Sequence, residues 1–202
     1  MRPACTPARG SASTAAAAAW WSSATSSLLL PRRPRRTHRA ALTALVSAAR
    51  RLHEEGRRPP ADTYLVCTAG EEMGGIGATY ASRTLPGEIT LALDVGPVEA
   101  EYQVPAGSGP VVAYADDAVV YGKPVADRLM ALGRELGLDP RAAVWESYHS
   151  DASRSKSSGQ TARAALLSLP TLSTHGYEVQ HRETVERCAR LVAEFLCRPA
   201  PR

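Results

Sequence analysis

TYLVCTAGEEMGGIG, Thr63 through Gly77, is the stretch on which the fold class turns. Thr63 to Ala69 are β-branched, aromatic or small, and read as a buried strand. Glu71 and Glu72 then stand where that strand ends and the chain turns through glycines. Ligands of open α/β sheets bind outside the carboxyl ends of strands, so a carboxylate pair there suits a base, a metal ligand or one of each. The same pair would equally suit the first turn of a helix, where the macrodipole favours acids.

Upstream, AALTALVSAARRLHEE places Leu42, Leu45, Val46, Ala49 and Leu52 at helical spacing, and GRRPPAD breaks the chain before Thr63. Downstream, EITLALDVG reads as a strand whose end carries Asp94, and PVVAYA as a shorter strand from Pro110 to Ala115. KPVADRLMALGRELGL has helical spacing, AAVWES is a further strand with YHSDAS at its end, and Ser150 or Asp151 can cap the helix that follows. TARAALLSLPT is the last strand and THGYEVQH a loop. RETVERCARLVAEFL closes the chain as a helix with Val185, Cys188, Leu191, Val192 and Phe195 on one face. Strands alternating with helices predict an α/β fold, a mostly parallel sheet with helices on both faces. On such a sheet Glu71, Glu72, Asp94, Asp151 and His175, each just after a predicted strand, come to one edge.

The 202 residues, 44% hydrophobic and 22% charged, suffice for one domain with a sizeable core. Cys5, Cys67, Cys188 and Cys197 show no CxxC spacing, and Cys67 lies in a predicted strand. Neither a disulfide framework nor a thiolate zinc site is expected, and a reducing cytoplasm fits. The formal net charge is +4, its basic excess is gathered in PRRPRRTHR, Pro31 to Arg39, and no acid precedes Glu54. The remainder is of mixed sign without interleaved aromatics, so a solvated arginine run is expected rather than a nucleic-acid surface. A nucleic-acid binder working through Arg32 to Arg39 would show binding that falls steeply with salt. No apolar stretch approaches the roughly 20 residues of a membrane span. AAAAAWWSSATSSLLL is too polar and too poorly flanked for a signal peptide. Residues 1–36, built from Ala, Ser, Thr, Pro and Arg without a period, are expected to form a disordered arm, 37–198 the folded unit and 199–202 a tail.

Carboxylates and imidazole suit divalent zinc, cobalt or manganese. Two such ions about 3.5 to 4 Å apart can polarise a carbonyl and activate water while a nearby glutamate carries the proton. The blocks AGEEMGGIGA, ALDVGP, YHSDAS and THGYEVQH, in that order between about Thr37 and Leu196, resemble those of the deblocking and glutamyl aminopeptidases, peptidase family M forty-two. These are cocatalytic metallopeptidases that often assemble into large tetrahedral particles. The resemblance implies a zinc-peptidase-like fold, two divalent ions per site, zinc or cobalt, and removal of N-terminal residues from peptide substrates by a homo-oligomer. It implies Glu71 as the general base acting on the attacking water, Glu72 and His175 as ligands of one metal, and Asp94 as a ligand of the second. Adjacent residues at a strand end point in different directions, so one glutamate can hold an ion while its neighbour addresses the water. Alone, Asp94 could terminate a strand and His175 could be a loop histidine; their joint placement favours the metal edge. For Asp151 a helix cap or a hydrogen-bond partner to the ligands is expected, for His181 a similar or structural role, for His149 a pocket wall, and for His53 a solvated helix face.

The chain also departs from that family. Full-length relatives carry an upstream histidine ligand in a His-x-Asp strand, an inserted β-rich domain used in dimerisation, and an Asp-Asp-Arg segment opening the helix before the Glu-Glu strand, one of whose aspartates bridges the metals. Here THRAALTAL, from Thr37, stands in that place: Arg39 fits, whereas Thr37 and His38 stand for the aspartates. The change from an acid-free arm to family sequence leads us to expect an N-terminally truncated gene or a misplaced start. Both metal sites would then lack ligands unless His38 or a partner chain contributes, since a catalytic zinc usually has three protein ligands. Two readings follow. One is the C-terminal part of a metallo-aminopeptidase catalytic domain, its activity impaired by missing ligands. The other is a non-catalytic remnant or subunit that keeps the fold and binds at most one metal.

Overall fold

The computed structural model describes residues 39–198 in full, Thr37 and His38 by their helical backbone, and Ala17–Trp21 by their strand backbone. The elements in chain order are β1 (Ala17–Trp21), α1 (Thr37–Glu54), β2 (Thr63–Cys67), α2 (Ile76–Thr84), β3 (Ile89–Pro97), a 3-10 turn (Ala100–Tyr102), β4 (Val111–Ala115), α3 (Lys123–Glu135), β5 (Arg141–Val144), α4 (Asp151–Ser157), β6 (Arg163–Leu172), β7 (Val179–Gln180) and α5 (Arg182–Cys197). Among the described residues they form one sheet of order β2-β1-β3-β6-β4-β5, with β7 paired to β6. β2, β1, β3 and β6 run parallel. β4 is antiparallel to β6 and carries β5 parallel to itself.

Two expectations change here. Ala17–Trp21, placed by sequence in a disordered arm, is an interior strand that pairs β2 on one side and β3 on the other. Alanines have low strand propensity, and a parallel strand between two neighbours needs no apolar-polar alternation, so AAAWW carries no readable period. The rest of 1–36 and the tail 199–202 lie outside the described residues. The second change concerns direction: β4 and β5 are reversed, so the carboxyl end of β5 lies at the opposite edge from those of β2, β3 and β6.

The sheet is covered on both faces. Leu91 and Leu93 of β3 and Ala165, Leu167 and Leu169 of β6 pack in one core with α1, α3 and α5, whereas Ala92, Ala164 and Leu166 pack in another with Trp145 and Ala152. This is the period-two alternation of a strand buried on both sides. α5 buries Cys188, Leu191, Val192 and Phe195, with Val185 partly covered, as its spacing predicts. α1 is rotated from its expected face. Ala41, Ala44, Leu45, Ala48 and Leu52 face inward, Leu42 is partly buried, and Val46 is 56% exposed. Small alanines form much of the seam, so reading by the larger side chains misplaces its centre.

The return from Glu54 to the amino end of β2 fixes the direction of α1. It runs against the parallel strands, so Thr37 begins it at the edge where β2, β3 and β6 end.

Candidate functional site

The Glu-Glu turn is set by its own backbone. After β2, Gly74 and Gly75 donate to the Glu71 carbonyl at 3.0 and 2.9 Å, and Gly75 also donates to the Gly70 carbonyl at 3.2 Å. Gly75 has φ 70 and precedes α2, whose first turn holds no acid. A left-handed residue there favours glycine. The glutamates therefore belong to the turn between strand and helix, and the alternative of an acidic first helical turn does not apply.

Asp94 arrives differently from expectation. It lies within β3, three residues before Pro97, on the face shared with Ala92 by strand alternation. It is 5% exposed, and its Oδ1 accepts from the Val95 N–H at 2.8 Å. The segment after β5 crosses back over the sheet to reach it. A Cβ on Gly96 would meet Trp145 Cζ2 at 2.8 Å, so this glycine lets the indole lie on β3. Beyond it, the Tyr148 hydroxyl donates to the Val95 carbonyl.

Asp151 reaches the same edge by this route and not from a parallel strand end. Ser150 is the N-cap of α4 and shares a capping box with Ser153, leaving Asp151 free of that duty. Asp151 is 1% exposed; one carboxylate oxygen accepts from the Thr68 hydroxyl, and the other is buried without a hydrogen-bond partner among the described residues. Thr68 precedes the Glu-Glu turn, so Asp151 braces that turn from behind.

His175 sits in the hairpin between β6 and β7 with φ 63, and its backbone N–H donates to Glu178 Oε1 at 3.0 Å. Its Nδ1 stands 3.6 Å from Glu72 Oε1. A cleft of about 180 Å³ gathers Glu71, Glu72, Asp94 and His175, with Tyr148, His149, Arg154 and Glu178 also on its wall. His149 is thus the wall residue expected, with its Nε2 3.5 Å from Asp117. His181 is the exposed N-cap of α5, with no side-chain cap bond, and His53 is exposed near the end of α1. The side chains of Thr37 and His38 lie outside the described residues.

Crowding dominates the electrostatics. Burial, followed by the charges of Asp94, Asp151 and Glu72, raises the Glu71 pKa to about 8 against an opposing pull from Arg154. Burial raises Asp94 to about 7, opposed by the Val95 N–H and Tyr148 and reinforced by Asp151 and Glu72. Burial lifts Asp151 to about 6 against the Thr68 hydrogen bond. Proton affinity rises at all three because burial outweighs the hydrogen bonds and the one opposing cation, Arg154, that act on them.

Such a cluster fits a cation in chemistry, and the donors fit it in part. Two donors each bonded to a tetrahedral ion at about 2.1 Å stand about 3.4 Å apart, close to the Glu72–His175 separation of 3.6 Å. Among the described residues no group of three His, Cys, Asp or Glu donors is gathered closely enough to hold an ion. Tyr148, Arg154 and Glu178 were not picked out from sequence. Tyr148 and Glu178 lay within recognisable blocks, but nothing local marked Arg154 as a cleft residue.

Comparison with known proteins points the same way. The family model for M42 glutamyl aminopeptidase matches residues 38–191. Among solved structures, a TET aminopeptidase from the marine sediment archaeon Thaumarchaeota archaeon SCGC AB-539-E09 superposes with TM-score 0.76 at 21% identity, covering 80% of this chain and 47% of its own. The TET1 peptidase of Pyrococcus horikoshii, which can assemble into a tetrahedron or a large octahedral shell, gives TM-score 0.71 at 21% identity over 79% of this chain and 48% of its own. Yeast aminopeptidase 1 gives 0.60 at 16% identity over 80% and 43%. The chain thus spans about half the length of these solved relatives. A comparison with curated protein sequences finds no match.

Proposed function

Because the chain belongs to the M42 glutamyl aminopeptidase family, whose members depend on divalent metal, we propose that residues 37–198 carry part of the catalytic domain of a metal-dependent aminopeptidase that removes N-terminal residues from peptides. The observation carrying this reading is the convergence of Glu71, Glu72, Asp94 and His175 on one cleft. Glu72 and His175 would hold one divalent ion, zinc or cobalt, and Asp94 would be a donor toward a second. An ion there would supply Lewis-acid polarisation of the scissile carbonyl and ease loss of a proton from water.

The remaining work falls to the chain. Glu71 stands beside Glu72 with its carboxyl half-buried, and its raised proton affinity makes it a strong base once ionised. It would take the proton of the attacking water and pass it to the leaving amine. Glu178 would hold the His175 backbone, and Tyr148 the Asp94–Val95 segment. We extend to this chain the homo-oligomeric assembly described for the Pyrococcus horikoshii relative. Among the described residues no helix is long and apolar enough to cross a membrane, and Cys67 and Cys188 are free thiols; a reducing cytoplasm suits both.

Metal analysis of the purified chain, run beside hydrolysis of a panel of aminoacyl anilides, tests the proposal. Bound divalent ion with turnover supports it. Bound ion with no turnover on any anilide, or absence of both, would overturn it in favour of the non-catalytic reading, a remnant that keeps the fold and binds at most one metal.

A further inference from the structure

The cleft holds a fixed positive charge for which the proposed reaction has no task. Arg154 lies one turn along α4 from the Ser150 cap, and it is the one permanently charged cation among the cleft's described lining residues. Packing places its stem. A Cβ on Gly75 would stand 2.7 Å from Arg154 Cγ and 2.8 Å from its Cβ, so the bare glycine lets the arginine lie against the turn that carries Glu71 and Glu72. The start of α4 is itself anchored, since Ser150 Oγ is 2.7 Å from the Tyr121 hydroxyl, which donates to Asp116 at 2.5 Å.

The head of Arg154 is unengaged. Among the described residues its guanidinium makes no hydrogen bond or ion pair. Acids that share the cleft are turned to other partners: Asp94 Oδ1 accepts from the Val95 N–H, Glu178 Oε1 accepts from the His175 N–H, and Glu72 Oε1 faces His175 Nδ1. An arginine head ordinarily takes a carboxylate through its forked donors. This one is left for a carboxylate that arrives with the ligand.

Its place says which carboxylate. Arg154 packs on the Glu-Glu turn, and its charge is felt at Glu71. Glu71 is the residue that would pass a proton to the leaving amine, so the cation stands on the leaving-group side of the scissile bond. In a dipeptide the nitrogen of that amine is two bonds from the terminal carboxylate carbon, whereas in a longer peptide a neutral amide takes the same place. The cleft, about 180 Å³, is smaller than the roughly 300–1,000 Å³ of sites for drug-sized ligands, which suits a short substrate.

We propose that Arg154 binds the terminal carboxylate of a dipeptide, so that this chain takes dipeptides in preference to longer peptides. This rests on the metallo-aminopeptidase reading of the same cleft. The fork holds the leaving amino acid by two parallel hydrogen bonds and so orients its nitrogen toward Glu71.

Calorimetric titration of the full chain with zinc present, in a Glu71→Gln background that holds turnover off, tests the proposal by binding alone. The probes are alanyl-alanine, its C-terminal amide, trialanine, and glutamyl-alanine amide, whose one carboxylate is on the first side chain. Alanyl-alanine should bind roughly tenfold or more tighter than its amide or trialanine. Arg154→Gln and Arg154→Met should each erase that preference, and Arg154→Lys, which keeps the charge but not the fork, should retain part of it. No binding of alanyl-alanine, equal affinity for it and its amide, or a preference that survives both neutral variants would overturn the proposal. So would glutamyl-alanine amide matching alanyl-alanine in a manner that depends on Arg154, because the cation would then read the first side chain. Metal analysis of Glu72→Gln separates this from the parent reading: unchanged metal content defeats the ligand assignment, while the contrast between alanyl-alanine and its amide, with and without Arg154, still decides the anchor.

Discussion

Acidic side chains meet opposite fates in two regions of this molecule. On the α1–α5 face, Glu194 receives the Arg57 guanidinium through two hydrogen bonds of 2.7 and 3.2 Å, and Arg198 adds a third at 3.1 Å while reaching Glu135 at 2.6 Å. Burial pushes the Glu194 pKa up, but Arg57 and Arg198 outweigh it and the net shift is downward. In and behind the cleft, half-buried Glu71 and the buried Asp94 and Asp151 have no paired cation among the described residues, and all three are raised. The first region uses charge to close the surface of the fold. The second holds charge ready for something that binds, at a cost in stability.

The largest expected effect lies in the cleft. Glu71→Gln should lower anilide hydrolysis roughly 10²- to 10⁴-fold with metal content almost unchanged, whereas Glu72→Gln should lose both. Equal metal loss in the two variants would erase the division of roles between the neighbours.

The same acid-to-amide change should then have opposite signs in the two regions. Glu194→Gln should destabilise the fold by about 1–3 kcal/mol, because it leaves a partly buried guanidinium short of its partner. Asp94→Asn, measured with chelator present, should be neutral or stabilising by up to about 2 kcal/mol, because it removes an uncompensated buried charge. Urea unfolding of both variants is the check, and a shared sign would break the contrast.

A pH series without metal sharpens it further. Glu71, Asp94 and Asp151 have folded pKa values of about 8, 7 and 6, above their ordinary values of 4.5, 3.8 and 3.8, so the folded chain binds protons more tightly than the unfolded one. Their contribution is full below about pH 4 and is lost as pH rises through those folded values. Glu194 is lowered, so its contribution is present above its unfolded pKa and is lost as pH falls through the folded value. The metal-free chain should therefore melt a few degrees higher at about pH 5 than at pH 8.5, then lose stability in stronger acid. Excess divalent ion should narrow the alkaline deficit. A melting temperature that climbs steadily from pH 5 to 8.5 without metal would contradict the crowding.

The smallest effect marks the limit of the paired region. Arg51 also contacts Glu186, but their side chains are 31% and 57% exposed. Glu186→Gln should change stability by less than about 1 kcal/mol. A loss as large as that of Glu194→Gln would mean that exposure, not pairing, had been misjudged.

Much of the candidate site was legible because its signals are local. The strand-turn with two glutamates, the β3 strand with its aspartate and the Ser150 cap follow from residue type and spacing over a few positions. The α1 face was less so, since Ala41, Ala44 and Ala48 contribute by being small. Asp94 was read as a strand end because Gly96 and Pro97 look like breakers. The strand continues through both, since Gly96 is needed under Trp145 and Pro97 closes the ladder.

By itself the sequence determined the alternation of strands and helices, the placement of the glutamate pair after β2 and the family blocks, because each depends on local pattern. Only tertiary structure decided that Ala17–Trp21 lies between β2 and β3, a position defined by its partners. It also decided that β4 and β5 run backward, yet the segment after β5 returns over the sheet to bring Tyr148 and Arg154 to the cleft and Asp151 behind the Glu-Glu turn. Strand direction and the reach of a loop are properties of long-range packing, and no window of residues along the chain contains them.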